Sequence, residues 1–148
     1  MARAIVMRAP GGPEVLKVEE VSVGEPGAGQ ARLRQTAVGV NFHDIYVRSG
    51  LYKTLQLPGI PGLEAVGVVE AVGPGVTHVA VGDRVGYVTR AYGSYAAGRL
   101  IDADVLIKLP QSIDDRTAAA TLLRGLTARM LVHDVHRVQP GMTVLVHA

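Results

Sequence analysis

Asn41, His43, Asp44 and Tyr46 fall within six residues of one another, in the run Gly39-Val40-Asn41-Phe42-His43-Asp44-Ile45-Tyr46. Asn41 and Tyr46 bring an amide and a phenol that can donate hydrogen bonds to a carbonyl or an amide, and Asp44 can orient a neighbour. The same run also reads as a polar turn capped by Asp44. Just after it, Arg48-Ser49-Gly50-Leu51-Tyr52 is a glycine-containing loop that either presents Tyr52 to a cleft or lies on the surface. Leu57-Pro58-Gly59-Ile60-Pro61-Gly62-Leu63-Glu64 sets two stiff turns before an acid at the head of an apolar strand. A buried carboxylate must be paired or protonated, so Glu64 either has partners or sits exposed at the strand's end. Leu123-Arg124-Gly125-Leu126-Thr127 lies where two helical stretches meet. Free N–H groups and a hydroxyl there can hold a polar ligand, or Thr127 simply caps a kinked helix.

Other chemistries are excluded by what is missing from the sequence. Cysteine is absent, which removes disulfides, Cys-based zinc sites and thiol nucleophiles. His133 and His136 have a ligand-like spacing but no convergent third ligand, and are read as solvated surface histidines. No Gly-Xaa-Gly-Xaa-Xaa-Gly run, P-loop or nucleophile elbow occurs. Fifteen Lys and Arg against thirteen Asp and Glu leave a net charge of only +2, with no basic stripe, which argues against a nucleic-acid partner. No apolar run approaches the ~18 residues of a membrane span, and no charged start followed by an apolar stretch marks a signal peptide. A soluble cytoplasmic protein is the expectation.

Elements that could position these residues follow from periodicity. The 148 residues suit one domain, and 48% are apolar, enough to bury a core. Alternation and turn clusters predict short strands over 3–7, 15–21, 30–40, 63–72, 84–89, 94–97 and 105–109, the spacing of a sandwich or barrel. Gly67 inside one of them should mark a bulge or a close backbone approach. Beyond Pro110, Ser112-Ile113-Asp114-Asp115 resembles a capping box, and two helical stretches separated at Gly125 follow, the second over 127–135. Residues 142–148 then read as a buried, parallel-type strand. Such a strand either opens a second, α/β domain at about Gln139 or pairs with the β body.

Taken in order, Gly11-Gly12-Pro13-Glu14-Val15-Leu16, the 39–46 run, Arg48-Ser49-Gly50-Leu51-Tyr52 and Pro61-Gly62-Leu63-Glu64-Ala65-Val66-Gly67 resemble one family. It is the zinc-free quinone oxidoreductase (zeta-crystallin-like) branch of the medium-chain dehydrogenase/reductase superfamily. Val81-Gly82-Asp83-Arg84-Val85 and residues 118–127 continue the match. The resemblance implies a mainly β fold with a few helices. A GroES-like, partly open β-barrel would occupy residues 1–122. Over 123–148 it implies a connecting helix and the first strand of a Rossmann dinucleotide-binding domain, the rest of which would lie beyond this chain.

The activity so implied is hydride transfer from NADPH, with NADH not excluded, to a quinone or enone. Zinc is not expected, because Asn41 stands where zinc-dependent relatives place a Cys and Leu63 where they place a His. Carried over by position, Asn41, Phe42, Asp44, Tyr46, Gly125 and Thr127 line the cofactor, and Tyr52 and Glu64 meet the substrate. Tyr52, Asn41 and His43 would carry catalysis, with Asp44 orienting its segment. His43 stands where alcohol dehydrogenases keep a proton-relay hydroxyl, so it would protonate the reduced product unless it points away from the cleft. Full-length relatives are expected to be homodimers, and this chain by itself to be inactive. Two rival readings stand beside this one: a non-catalytic GroES-like or crystallin-type structural module, and an alkenal or enoyl-thioester reductase. Fold alone does not separate them.

Overall fold

Strands form where the sequence alternates and stop at its Gly and Pro clusters. The computed structural model describes residues 1–147. In chain order its elements are β1 (Ala2–Val6), β2 (Lys17–Val21), β3 (Gln30–Val38), α1 (Phe42–Ser49), β4 (Glu64–Val72), β5 (Arg84–Val88), β6 (Gly98–Asp102), β7 (Ile107–Lys108) and α2 (Asp115–Arg129). β1 and β2 make an antiparallel ribbon, and the other five strands form an antiparallel sheet in the order β6-β3-β4-β5-β7. Single bridges from Ala4 to Ala96 and from Met7 to Gly59 tie the ribbon to the body. The body is mainly β, as expected, and its sheets stay open rather than closing into a barrel.

β4 shows how a period of two sorts side chains. Ala65 and Val69 join Ala31, Leu33, Val85, Tyr87 and Ile101 in the main core. Val66 faces the other way and packs against Ala118 and Ala119 of α2. Gly67 lies between them, where a Cβ would come within 2.5 Å of the Arg34 carbonyl oxygen. The β3–β4 register also shifts between Gln35 and Ala37, opposite this glycine. The expected bulge and the expected close approach are therefore both present.

Five local expectations come out differently. The 42–49 segment is a helix, not a polar turn. Residues 94–97 contribute only the Ala96 bridge, while the edge strand lies just beyond, at β6. Nothing alternates clearly in Gly-Arg-Leu-Ile-Asp, and pairing with β3 makes it a strand. The two helical stretches form one continuous helix through Gly125, ending in a π-turn at Met130–Val135. Its cap is Asp114 rather than Ser112, with the carboxylate accepting from the Thr117 N–H at 2.9 Å and the Thr117 hydroxyl at 2.7 Å. Residues 142–146 take part in no strand pairing among the described residues, and Ala148, the last residue of that expected strand, lies outside them. A parallel-type strand gains its hydrogen bonds only from sheet neighbours, and none adjoins this segment.

Candidate functional site

α1 is short, so its ends matter. Asn41 is the N-cap, and the Asp44 carboxylate reaches back to accept the Asn41 backbone N–H at 2.9 Å. This is one half of a capping box. Gly50 closes the helix in the left-handed conformation at φ 84°, a position that suits glycine. Asp44 is buried, and its Oδ2 also accepts the Tyr95 hydroxyl at 3.0 Å. Burial, reinforced by the Asp44 charge, pushes the Tyr95 hydroxyl well above the ordinary tyrosine range, so it stays a donor.

The Asn41 side chain turns away from its own helix. Its Nδ2 donates to Glu64 Oε1 at 2.7 Å, and Glu64 Oε2 accepts the Leu123 N–H of α2 at 2.9 Å. Glu64 is 1% exposed, so one carboxylate joins the α1 cap, the head of β4 and the middle of α2. A side chain at Gly39 would run into that carboxylate. Arg124 adds a second tie, its Nη2 donating to the Val40 carbonyl at 2.9 Å. Glu64 was expected to meet substrate. In the structure both its oxygens take protein N–H donors, one of them from Asn41. Asp44, expected among the cofactor-lining residues, is buried in the same way and holds the helix start.

Aromatic side chains form the outer part of the site. Phe42 and Tyr46 have centroids 6.4 Å apart, Tyr46 and Tyr52 5.3 Å, His43 and Tyr52 5.4 Å, and His43 and Tyr92 6.1 Å. The chain holds only five Tyr and one Phe, and four of these six line this strip. Phe42 is 74% exposed, Tyr52 43% and Tyr46 37%. The Tyr52 N–H donates to the Tyr46 carbonyl at 3.0 Å, which locks the loop against the helix end. Gly125 and Thr127 lie further along α2. Thr127 is exposed, with its hydroxyl donating to the Leu123 carbonyl at 2.9 Å, and a Cβ on Gly125 would meet nothing within 4 Å. Among the described residues no hydrogen bond joins either one to α1.

Tyr92, Thr54 and Tyr95 belong to this region without having been singled out by sequence. Tyr92 donates or accepts at His43 Nε2 (2.8 Å) and Thr54 Oγ1 (2.6 Å). The signal that could have found it is Tyr92-Gly93-Ser94-Tyr95, two phenols around a glycine that adopts φ 125°. Among the described residues no three His, Cys, Asp or Glu side chains gather in a metal-binding group. No described helix is long and apolar enough to cross a membrane.

Residues 27–111 match the alcohol dehydrogenase GroES-like domain. A 2-haloacrylate reductase from Burkholderia sp. is 47% identical over all of this chain and 46% of its own length. A quinone oxidoreductase of Pseudomonas aeruginosa is 44% identical, with the same coverage. The crystal structure of Escherichia coli quinone oxidoreductase complexed with NADPH superposes with a TM-score of 0.90 at 40% identity, over 94% of this chain and 43% of that one. The chain thus spans about half the length of the curated relatives it matches.

Proposed function

From a chain that belongs to the alcohol dehydrogenase GroES-like domain family, we propose the substrate-side domain of an NADPH-dependent, zinc-free reductase. Its substrates would be electron-poor double bonds conjugated to a carbonyl. Quinones and haloacrylates, named for the relatives above, both fall in that class. Residues 1–122 would form this domain and 123–148 lead into a dinucleotide-binding domain, the two together making a cytoplasmic enzyme.

The observation that carries the reading is the exposed aromatic strip beside the Asn41–Glu64 corner. Flat aromatic surface suits a planar acceptor, and the polar corner suits its carbonyl or a carboxamide. The residues fit the nicotinamide end of NADPH and no more. The Tyr46 and Tyr52 hydroxyls have no protein partner among the described residues, and Asn41 keeps its carbonyl oxygen free of the Glu64 bond. The Thr127 hydroxyl oxygen still has lone pairs to accept with. Tyr46, Thr127 and Asn41 would hold the carboxamide, with Phe42 and Gly125 giving it surface. Tyr52 would hold the acceptor's carbonyl. When bound, the cofactor supplies the hydride.

This chain's part is binding and orientation. Asp44 fixes the helix start, Glu64 fixes the Asn41 amide, and the strip excludes water from one face of the acceptor. Zinc has no place in the reading, because Asn41 offers an amide already engaged by Glu64 and Leu63 offers no donor.

The test uses the full-length enzyme with a quinone acceptor. Asn41→Ala and Tyr52→Phe should each lower kcat/KM roughly three- to tenfold, the worth of one neutral hydrogen bond of about 0.5–1.5 kcal/mol. Unchanged kcat/KM in both variants, or about one zinc per chain whose removal abolishes turnover, would overturn the reading.

A further inference from the structure

The proposed reaction leaves a negative charge on the acceptor's oxygen once hydride has added, and that charge needs a proton. Three side chains from three segments line up to bring one. Thr54 is exposed, Tyr92 half-buried, and His43 half-buried on α1. Thr54 Oγ1 and Tyr92 Oη lie 2.6 Å apart, and Tyr92 Oη and His43 Nε2 lie 2.8 Å apart. The backbone that presents Tyr92 is held by Arg99, whose Nη2 donates to the Tyr92 carbonyl at 3.2 Å and the Ala91 carbonyl at 3.3 Å. Tyr52 packs on the His43 ring at 5.4 Å, which sets the imidazole beside the aromatic strip.

We propose that Thr54, Tyr92 and His43 form a proton relay from solvent to the reduced acceptor, with Tyr92 positioning and recharging His43. The inference rests on the reductase reading above. A phenol has one proton, so between two neighbours it donates to one and accepts from the other. When Tyr92 donates to Nε2, His43 carries its own proton on Nδ1, the one nitrogen left for the acceptor. Once the acceptor has gained a hydride as a new C–H bond, which the bound cofactor would supply, the electron pair displaced from the conjugated double bond rests on oxygen. The His43 Nδ1–H bond breaks and its proton goes to that oxygen. Nε2 takes the Tyr92 proton, the Tyr92 oxygen takes the Thr54 proton, and Thr54 takes one from water, leaving hydroxide in solvent. Hydride and one proton are added to the acceptor, and the relay ends with its three protons restored and its tautomer reversed. Exchange with solvent resets it.

One test reads the relay without turnover. In this chain labelled with nitrogen-15 histidine, His43 should be the Nδ1–H tautomer, with Nε2 resonating as a hydrogen-bonded acceptor. Tyr92→Phe should move that resonance into the N–H range, and an unchanged His43 spectrum overturns the relay. A second test uses the full-length enzyme with a quinone. Tyr92→Phe should lower kcat by about a hundredfold, the lower end of what a positioned general acid contributes, with KM held within about twofold. His43→Leu should lower it similarly. The double variant should be no slower than the slower single one, because the two residues act as a unit. If the unmodified enzyme turns over but Tyr92→Phe matches it, the relay alone falls. If the unmodified enzyme oxidises NADPH with no quinone or enone, the functional reading falls and the relay with it.

Discussion

Glu64 carries two N–H donors, one on each oxygen, in a setting that leaves 1% of its surface to water. A glutamine there keeps one acceptor oxygen and turns an NH₂ group toward a donor. One buried N–H is then unpaired, which costs about 1–3 kcal/mol. Glu64→Gln should therefore unfold at lower urea with an unchanged slope. A variant as stable as the parent would mean that the Leu123 N–H returns to a helix carbonyl and that the carboxylate is dispensable. At this scale the sequence was informative where partners are near in the chain. Asn41 and Asp44 are three residues apart, and Asp44 was read as orienting its own segment, though not as closing a helix start on Asn41. Tyr92 meets His43 across 49 residues, and no spacing pattern relates them.

Two helices set the site, and each departs from its local signal for a physical reason. α1 has only eight residues, below the length at which a helix holds in water on its own. Its Val47 is 2% exposed and Asp44 5%, so packing against the body supplies what propensity does not. α2 runs through Gly125, whose penalty relative to alanine, about 0.8–1 kcal/mol, is too small to break a helix flanked by Leu and Ala. Since a Cβ at Gly125 meets nothing within 4 Å, Gly125→Ala should raise stability by up to about 1 kcal/mol, or roughly 3 °C in Tm. Differential scanning calorimetry of this chain checks it, and a fall in Tm would show that the site is strained. In the full-length enzyme the same change should raise KM for NADPH. An unchanged KM would remove Gly125 from the cofactor-lining residues.

For the molecule as a whole, the uneven cover of its apolar surface is the main feature. The sheets bury their core, whereas Leu126, Met130 and Leu131 on the late helix and Val144, Leu145 and Val146 after it are exposed, the last two at 79% and 81%. Exposed apolar surface of this extent makes a chain prone to self-association. Dinucleotide affinity in Rossmann enzymes comes largely from a glycine-rich turn and a helix N-terminus that receive the pyrophosphate. This chain contains no such glycine run. Two or three neutral hydrogen bonds at about 1 kcal/mol each barely offset the entropy of association. Titration of NADPH fluorescence with this chain should therefore give a Kd of about millimolar or weaker. Micromolar binding would mean a complete cofactor site within these 148 residues.

Amino-acid order alone was enough for β1 to β5, for a helix beginning soon after Pro110 and for the segments that hold Asn41, Tyr52 and Glu64. Strand alternation, turn residues and caps depend on backbone geometry within a few positions, and a short window contains all of it. Folding was needed to show that Glu64 bridges Asn41, 23 residues back, and Leu123, 59 residues on. It was needed equally to make Gly98–Asp102 a strand through β3 and to seat Tyr92 on His43. These contacts are set by sheet register and by the burial of one element on another. A register shift of one residue turns every side chain to the opposite face, so the partners across the site exist only once the sheet and α2 have packed.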